Sequence, residues 1–354
     1  MKMTSSLSRL AVWTAGLGGW LTALAGDPCI VKSEFLADPP PTPVSHASTI
    51  VETPSGLVAA WFGGRAERAP DVSIWLTRND GAGWSAPVEV ANGIVPNRDG
   101  KRYPCWNPVL FRRSNGNVLL FYKVGPSPEK WWGNVRLSTD DGKTWIKERR
   151  LPDGFVGPVR NQPVELDDGT LLCGSSLEDK GWRVHMEWTK EPFGLWNRGP
   201  DLNAAYTVAA IQPTILRHEN GLQILCRTKQ GHIYESWATN GYYRWSPMTR
   251  TALPNPNSAI DAIMLKDGRA LLVYNHSRDD RGILNVAVSA DGEEWMALCE
   301  LEHEPGTEMS YPAVIQTQDG LVHVTYTWKR QRIRHVVIDP RAAQPRPMPD
   351  GQWR

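Results

Sequence analysis

Polar side chains that could take part in chemistry recur where the short apolar strands of this sequence begin. They are His46, Trp106, Asn107, Arg160, Asn161, Gln212, Asp261 and Tyr311. A second set ends the strands that follow and contains Lys123, Arg227, His276 and Arg278. Imidazole titrates near neutrality, so His46 and His276 could transfer protons. If both approach Tyr311, a His/Tyr pair could abstract a proton beside a uronate carboxylate, which is the reaction of a polysaccharide lyase.

Charge and composition exclude several classes of protein. The 354-residue chain has 39 Lys+Arg against 38 Asp+Glu, which gives a formal net charge of +1. This balance gives no reason to expect a nucleic-acid or membrane partner. The 41% hydrophobic residues and 17 tryptophans exclude a disordered chain. No His-x-His, His-x-x-Glu-His or EF-hand spacing occurs, so the sequence predicts no required metal, and we expect no cofactor.

The chain beyond residue 25 consists of six similar units. Each unit has two short strands around a glycine turn, at Gly56, Gly116, Gly169, Gly221, Gly268 and Gly320. These glycines are on average about 53 residues apart, a period typical of the blades of a propeller. No long segment has helical periodicity. The sequence therefore predicts an all-β, six-bladed β-propeller over residues 26–340, closed by an N-terminal strand within residues 29–36.

A turn that ends in tryptophan follows the third strand of several units. Its fullest copy runs from Ser138 to Trp145 and contains Asp140 and Gly142. A carboxylate can hold such a turn while the tryptophan packs between neighbouring sheets. We therefore expect these turns to be structural. The adjacent pair Trp131 and Trp132 could stack on sugar rings or pack within its blade.

The two ends of the sequence differ from the repeats. Lys2 and Arg9 precede an interrupted apolar stretch from Leu10 to Leu24, and Ala23-Leu24-Ala25 is a small-x-small cleavage site. Residues 1–25 are therefore predicted to be a signal peptide, and we expect an exported, periplasmic or extracellular protein. The apolar stretch is shorter than the roughly 20 residues of a membrane span. Residues 341–354 are rich in proline, and we expect a loose tail.

The five cysteines lie far apart without a Cys-x-x-Cys motif, which excludes zinc and thioredoxin-like sites. Cys173 and Cys226 occupy similar places in neighbouring units, so an exported protein could pair them in a disulfide. Buried free thiols are the interpretation that we favour.

Together, the tryptophan turns, the period and the leader resemble the sialidase (neuraminidase) superfamily, in particular bacterial BNR-repeat, or Asp-box, sialidase-like proteins. Sialidases hold the substrate carboxylate with three arginines, and the resemblance places Arg227 second and Arg278 third, with Arg281 a close rival. Where the first arginine is expected, the sequence has His46. A guanidinium can bind a carboxylate with two parallel hydrogen bonds, so this difference bears on the substrate.

The resemblance also suggests catalytic residues. Tyr311 matches the sialidase nucleophile, and Asp71, or alternatively Glu67, lies in the loop that carries the acid/base, next to Arg65. A glutamine, Gln212, stands where sialidases have the glutamate that accepts the tyrosine proton, so Glu308 could substitute for that base.

The residues and the resemblance together predict a sialidase-like exo-glycoside hydrolase that releases a terminal acidic sugar. The predicted catalytic residues are Tyr311, Asp71, Glu308 and His46. The predicted substrate-binding residues are Arg227, Arg278, Arg281, Arg65, Trp106, Asn107, Lys123, Asn161, Gln212 and His276. The expected partner is an acidic glycan bound by a monomer. A uronate lyase and a non-catalytic glycan-binding propeller are the alternatives.

Overall fold

Antiparallel β-sheets make up nearly all of the computed structural model, which describes residues 27–95 and 100–353. The strands are numbered β1–β25 in chain order. The first strand is β1 (Ile30–Phe35), and blade one contains β2 (Val44–Thr53), β3 (Gly56–Gly64), β4 (Ser73–Asn79) and β5 (Val88–Ala91). Blade two contains β6 (Cys105–Arg112), β7 (Val118–Val124), β8 (Trp132–Ser138) and β9 (Lys147–Arg150). Blade three contains β10 (Val164–Glu165), β11 (Leu171–Leu177), β12 (Arg183–Thr189) and β13 (Asn197–Arg198).

The second half of the chain continues the same arrangement. Blade four contains β14 (Ala210–His218), β15 (Gly221–Thr228), β16 (His232–Ala238) and β17 (Thr249–Pro254). Blade five contains β18 (Asp261–Met264), β19 (Ala270–Tyr274), β20 (Ile283–Ser289) and β21 (Trp295–His303). Blade six contains β22 (Met309–Gln316), β23 (Val322–Trp328) and β24 (Arg332–Ile338). The predicted six-bladed, all-β propeller is confirmed.

The N-terminal strand completes blade six, as the sequence predicted. Strand β1 pairs antiparallel with β24, with Phe35 opposite Arg334. Glu34 on β1 also accepts a hydrogen bond from the indole of Trp84 in blade one, at 3.0 Å. The last sheet is therefore built from both ends of the propeller, which leaves no unpaired gap in the ring. The predicted signal peptide lies outside the described residues.

The C-terminal segment is ordered against blade five, so the expectation of a loose tail was wrong. Strand β25 (Arg346–Pro347) pairs with β21. Met348 is buried, and Trp353 packs on the same apolar cluster. A single 3₁₀ turn, Pro349–Gly351, ends the described chain. Within residues 27–95 and 100–353, no helix is long and apolar enough to span a membrane.

Apolar side chains of neighbouring blades fill the space between the sheets. Trp61 and Phe121, for example, are almost fully buried. All five cysteines are free and buried. This agrees with the favoured interpretation, and not with a bond between Cys173 and Cys226.

The turn from Ser138 to Trp145 is held by its own side chains. The Asp140 carboxylate accepts hydrogen bonds from the Thr144 amide at 2.8 Å and the Thr144 hydroxyl at 2.6 Å. These bonds, led by the one from the Thr144 side chain, lower the pKa of Asp140 to about 2. The Ser138 hydroxyl accepts from the Gly142 amide at 2.9 Å. Asp140 is fully engaged in the turn and is not available for catalysis.

Candidate active site

Strand ends and loops from five blades, all except blade five, enclose a small pocket on one face of the propeller. It has a volume of about 100 Å³, and we call it the Tyr311 pocket. It is lined by His46, Phe62, Glu67, Trp106, Asn107, Pro128, Trp131, Glu178, Trp182, Ile211, Gln212, Arg227 and Tyr311. Sites that enclose a whole small ligand typically measure about 300–1,000 Å³. The Tyr311 pocket can therefore enclose the acidic end of a sugar rather than an oligosaccharide.

Bulges in the innermost strands aim side chains into this pocket. The pairing register slips after His46, Trp106, Ile211 and Ser310, at the start of the first strand of four blades. The backbone at these bulges has positive φ, at Ala47, Asn107, Gln212 and Tyr311. A proline follows the last three of these residues, and because proline has no N–H, it cannot continue the regular ladder. The repeated bulge turns the strand and redirects its side chains.

Arg227 and Tyr311 form the centre of the pocket. The Arg227 Nη1 atom donates to the Tyr311 hydroxyl at 2.9 Å and to Gln212 Oε1 at 3.2 Å. Its Nη2 atom donates to the side chain of Asn257 at 2.8 Å and to the Asn257 carbonyl. All four acceptors are formally neutral, and Arg227 is only 4% exposed. A buried guanidinium that is bound only to neutral oxygens is well suited to attract an anionic ligand.

Three further arginines add positive charge around Arg227. Burial, followed by the charges of Arg330, Arg160, Arg281 and Arg227, lowers the pKa of His46 well below its ordinary value. His46 is therefore neutral at pH 7. Arg281 and Arg227 both donate to the carbonyl of Asn257, so one backbone oxygen holds the two guanidinium groups together.

Two glutamates balance part of this charge. Glu308 accepts from Arg330 at 2.6 Å, from Arg281 at 3.3 Å and from the Ser310 hydroxyl at 2.8 Å. Burial would raise the pKa of Glu308, but the hydrogen bond and charge of Arg330 outweigh it and lower the pKa. Glu67 pairs with the other side of Arg330. Glu308 is therefore an ionised anchor for arginines and is poorly suited to be the base for Tyr311.

His46 contacts Tyr311 through its ring. The two ring centroids are 4.2 Å apart, and Phe62 packs against the other side of the imidazole. The buried His46 Nδ1 atom has no hydrogen-bond partner among the described residues. This imidazole can therefore offer a hydrogen bond to a ligand in the pocket.

Glu178 provides a second carboxyl group with different properties. It follows β11 and lines the pocket beside Trp182. Burial raises the pKa of Glu178, against the opposing charge of Arg227. A carboxyl group that stays protonated more readily can donate a proton to a leaving oxygen. Glu178 therefore has the properties of a general acid.

Several predicted binding residues support the pocket from below. Lys123 is fully buried, donates to the carbonyls of Asn107 (3.3 Å) and Pro158, and its pKa is lowered to about 7 by burial. Asn161 donates to the carbonyl of Gln212 at 3.2 Å. These side chains hold backbone carbonyls at two of the bulges. Trp106 and Asn107 reach the pocket wall themselves.

Four predicted residues lie away from the Tyr311 pocket. Asp71 and Arg65 pair with each other at 3.6 Å, with side chains that are 45% and 73% exposed. Neither lines the pocket, whereas the alternative carboxylate in the same loop, Glu67, does. Arg278 and His276 line a separate cavity. Arg278 and Arg281 were the two candidates for the third carboxylate-binding arginine, and of these Arg281 lies next to Arg227.

Residues missed by the sequence analysis include Glu178, Trp182 and Arg330. Glu178 follows the second strand of blade three, and Arg330 follows that of blade six. The rule that identified Lys123 and Arg227 at strand ends, applied to all six blades, would have found both residues. Arg330 supplies a guanidinium close to His46, where the resemblance predicted that an arginine would be missing.

The described parts of the chain contain no group of three His, Cys, Asp or Glu residues that could hold a metal ion. The available groups are one phenol, an arginine cluster, a neutral imidazole and two carboxyl groups in the wall. This set can bind an anion, donate a proton and stabilise positive charge at a sugar carbon.

The fold and this pocket define a six-bladed propeller with a cationic site at one end of its channel. Residues 55–324 match the BNR repeat-like domain family, and the chain belongs to that family. No curated protein matches the chain in sequence.

Several solved structures are similar in fold. The Hadza microbial sialidase Hz136 aligns with a TM-score of 0.71 at 15% identity, over 88% of this chain and 69% of that one. A protein of unknown function from Dyadobacter fermentans gives 0.70 at 15%, over 87% and 98%. An α-L-arabinanase from Penicillium chrysogenum gives 0.65 at 17%, over 90% and 100%. These similarities show the sialidase-like propeller fold.

Proposed function

We propose that this protein is an exported exo-glycoside hydrolase that releases a terminal acidic sugar from a glycan. The observation that carries the proposal is Arg227, a buried guanidinium with neutral partners that donates to the Tyr311 hydroxyl. Sialidases and an arabinanase share the fold, which is consistent with glycoside hydrolysis. In this reaction Arg227 and Arg281 hold the sugar carboxylate, and the other arginines strengthen the positive potential of the site.

Tyr311 and Glu178 carry the chemical steps in this proposal. The Tyr311 oxygen stabilises the positive charge that develops at the anomeric carbon as the bond to the leaving oxygen breaks, in line with the role of tyrosine in a known variant of glycoside hydrolysis. Glu178 gives its proton to the leaving oxygen. A water molecule then adds to the anomeric carbon and returns a proton to the Glu178 carboxylate. We favour Glu178 over Asp71 for this step because Glu178 lines the pocket and its pKa is raised, whereas Asp71 is exposed and paired with Arg65.

The test is turnover of fluorogenic glycosides of sialic acid and of uronic acids by the signal-free protein and its Tyr311→Phe variant. We expect the wild type to release fluorophore from an acidic glycoside and the variant to be slower by at least about 100-fold, the scale of a lost catalytic group. Turnover that survives in Tyr311→Phe would refute the role of Tyr311. If the wild type binds acidic sugars without turnover, the protein is a glycan-binding propeller.

A uronate lyase is the second candidate, and one contact favours it. His46 lies against Tyr311 with ring centroids 4.2 Å apart, so an imidazole and a phenol are adjacent. His276 lines a different cavity and lies outside this pair. Elimination creates a conjugated double bond, whereas hydrolysis does not. A rise in ultraviolet absorbance on incubation with oligouronates would therefore favour the lyase and refute the hydrolase.

A further inference from the structure

A second cavity opens on the same face of the propeller, between blades four and five. It measures about 470 Å³ and is lined by His232, Arg250, Ala252, Pro254, His276, Ser277, Arg278, Asp350, Gly351 and Gln352. Its residues follow the second strand of blade five, start the third strand of blade four and end the fourth. These are the strand ends that face the Tyr311 pocket. The ordered C-terminal turn completes the wall.

One loop supplies an arginine to each site. In the segment from Ser277 to Gly282, Arg281 joins Arg227 at the carbonyl of Asn257, whereas Arg278 lines the second cavity. Three residues of chain span at most roughly 11 Å. The backbone positions of Arg278 and Arg281 therefore lie within the length of a short oligosaccharide, so different sugars of one glycan can reach the two arginines.

Arg278 is directed into the second cavity by a neutral imidazole. Its Nη2 atom donates to His232 Nε2 at 3.4 Å, and His232 Nδ1 lies 3.4 Å from the carbonyl of Gln230. Burial lowers the pKa of His232, so the ring accepts this bond at neutral pH. Among the described residues, no carboxylate forms an ion pair with Arg278 or Arg250, whereas Arg281 on the same loop is paired with Glu308.

Apart from Arg250, Arg278 and Asp350, the residues that line the cavity carry no charge. His276 lies 2.5 Å from the Tyr274 hydroxyl and also bonds to the backbone of Gly351, and burial lowers its pKa to about 4. It therefore anchors the C-terminal turn as a neutral ring. Asp350 is the single acidic residue of the lining, against two arginines. Guanidinium groups for an anion and a carboxylate for sugar hydroxyls suit an acidic sugar.

We propose that this cavity is a second subsite, which binds a carboxylate or sulfate on the sugar next to the terminal one. The proposal rests on the proposed function, because it assigns the second position of the same acidic glycan. Arg278 binds the anionic group, with Arg250 beside it. The protein is then selective for glycans that carry negative charge on two successive sugars.

The test is calorimetric binding to the full chain carrying Tyr311→Phe, which prevents turnover during the titration. Sialyllactose has a neutral second sugar, disialic acid adds a carboxylate there, and sialyl-sulfolactose with a sulfated galactose adds a sulfate. Galacturonic acid and digalacturonic acid form a second pair. We expect the second anion to strengthen binding at least 10-fold, as one charge-assisted contact would. Tighter binding of disialic acid would indicate a carboxylate site, and tighter binding of sialyl-sulfolactose would indicate a sulfate site.

Adding Arg278→Gln should abolish this gain and leave the singly charged probes within about 2-fold. Arg281→Gln should weaken every probe. The control is Arg269→Gln, which removes a partly exposed arginine paired with Asp267 in the β18–β19 turn of the same blade and should change nothing.

If the second anion does not increase affinity, or if the increase persists in Arg278→Gln, the proposed subsite is wrong and the proposed function is unaffected. If the increase in affinity depends on Arg278 but Arg281→Gln weakens no probe, the anion site is supported and the proposed function is refuted. Absence of binding by every probe would overturn both.

Discussion

Replacing Arg227 with glutamine should reduce kcat/KM for an acidic glycoside by roughly 10²–10⁴-fold. Arg227 donates to the Tyr311 hydroxyl at 2.9 Å, and in the proposed complex it also binds the sugar carboxylate. Each hydrogen bond to a charged group contributes about 1.5–3 kcal/mol. Losing two of them costs about 3–6 kcal/mol, at about 1.4 kcal/mol for each tenfold change in rate.

The effect on folding is a separate cost, because three of the four acceptors lose the donor that Arg227 provides. The carbonyl of Asn257 retains its bond from Arg281. A donor is lost at Gln212 Oε1, the Asn257 side chain and the Tyr311 hydroxyl, which costs about 1–3 kcal/mol for each buried group left unsatisfied. Urea unfolding of the variant measures this cost and separates it from the loss of activity.

The assay compares wild type, Arg227→Gln and Arg227→Lys on a fluorogenic acidic glycoside and on its neutral counterpart. Lysine keeps the charge but cannot form the forked pair of bonds, so its activity should lie between the other two. Arg269→Gln, which replaces a partly exposed arginine in blade five, is the control. A loss below 10-fold in Arg227→Gln, or an equal loss on the neutral glycoside, would refute the reasoning.

Three further changes test other parts of the site and the fold. Glu178→Gln should slow hydrolysis by about 10²–10⁴-fold for a poor leaving group and far less for an activated phenol, which does not need protonation; equal losses, measured as kcat/KM on both substrates, would contradict the acid role. Gln212→Glu places a carboxylate within hydrogen-bond reach of the Arg227 guanidinium. Because this carboxylate competes with that of the sugar, kcat/KM on an acidic glycoside should fall, and turnover above that of the wild type would contradict the role of Arg227. Burial and the charge of His335 lower the pKa of His323 to about 4. Because the unfolded chain binds a proton that the folded chain excludes, stability should fall by about 2–3 kcal/mol between pH 6.5 and pH 4. His323→Phe should lessen this fall in urea unfolding, and an unchanged pH dependence would contradict it.

The repeat period carried most of the information about the fold. Glycine turns about 53 residues apart predicted six blades, because each turn must join two strands of one sheet. The same logic placed the polar side chains at strand ends, and the Tyr311 pocket contains His46, Gln212, Arg227 and Tyr311 as a result. The C-terminal segment was expected to be loose because it is rich in proline. No signal in the sequence indicated that Arg346 and Pro347 pair with β21.

Details set by loop geometry were beyond the sequence. Arg278 and Arg281 are three residues apart, and only the course of their loop decides which one meets Arg227. Arg330 reaches the site from the blade that closes the ring, so its approach to His46 depends on closure and has no local signal. The raised pKa of Glu178 is caused by its burial in the folded protein, which spacing alone does not reveal.

Recognition of a carboxylated sugar by the arginine-lined Tyr311 pocket can be measured directly. The quantity is kcat/KM of the wild type on matched fluorogenic pairs, a sialoside against its methyl ester and a glucuronide against the glucoside. We expect at least one acid to be preferred over its uncharged partner by about 100-fold or more, since the carboxylate alone bonds to the charged guanidinium groups. Equal turnover of acid and uncharged partner, or a preference for the uncharged sugar, would contradict it.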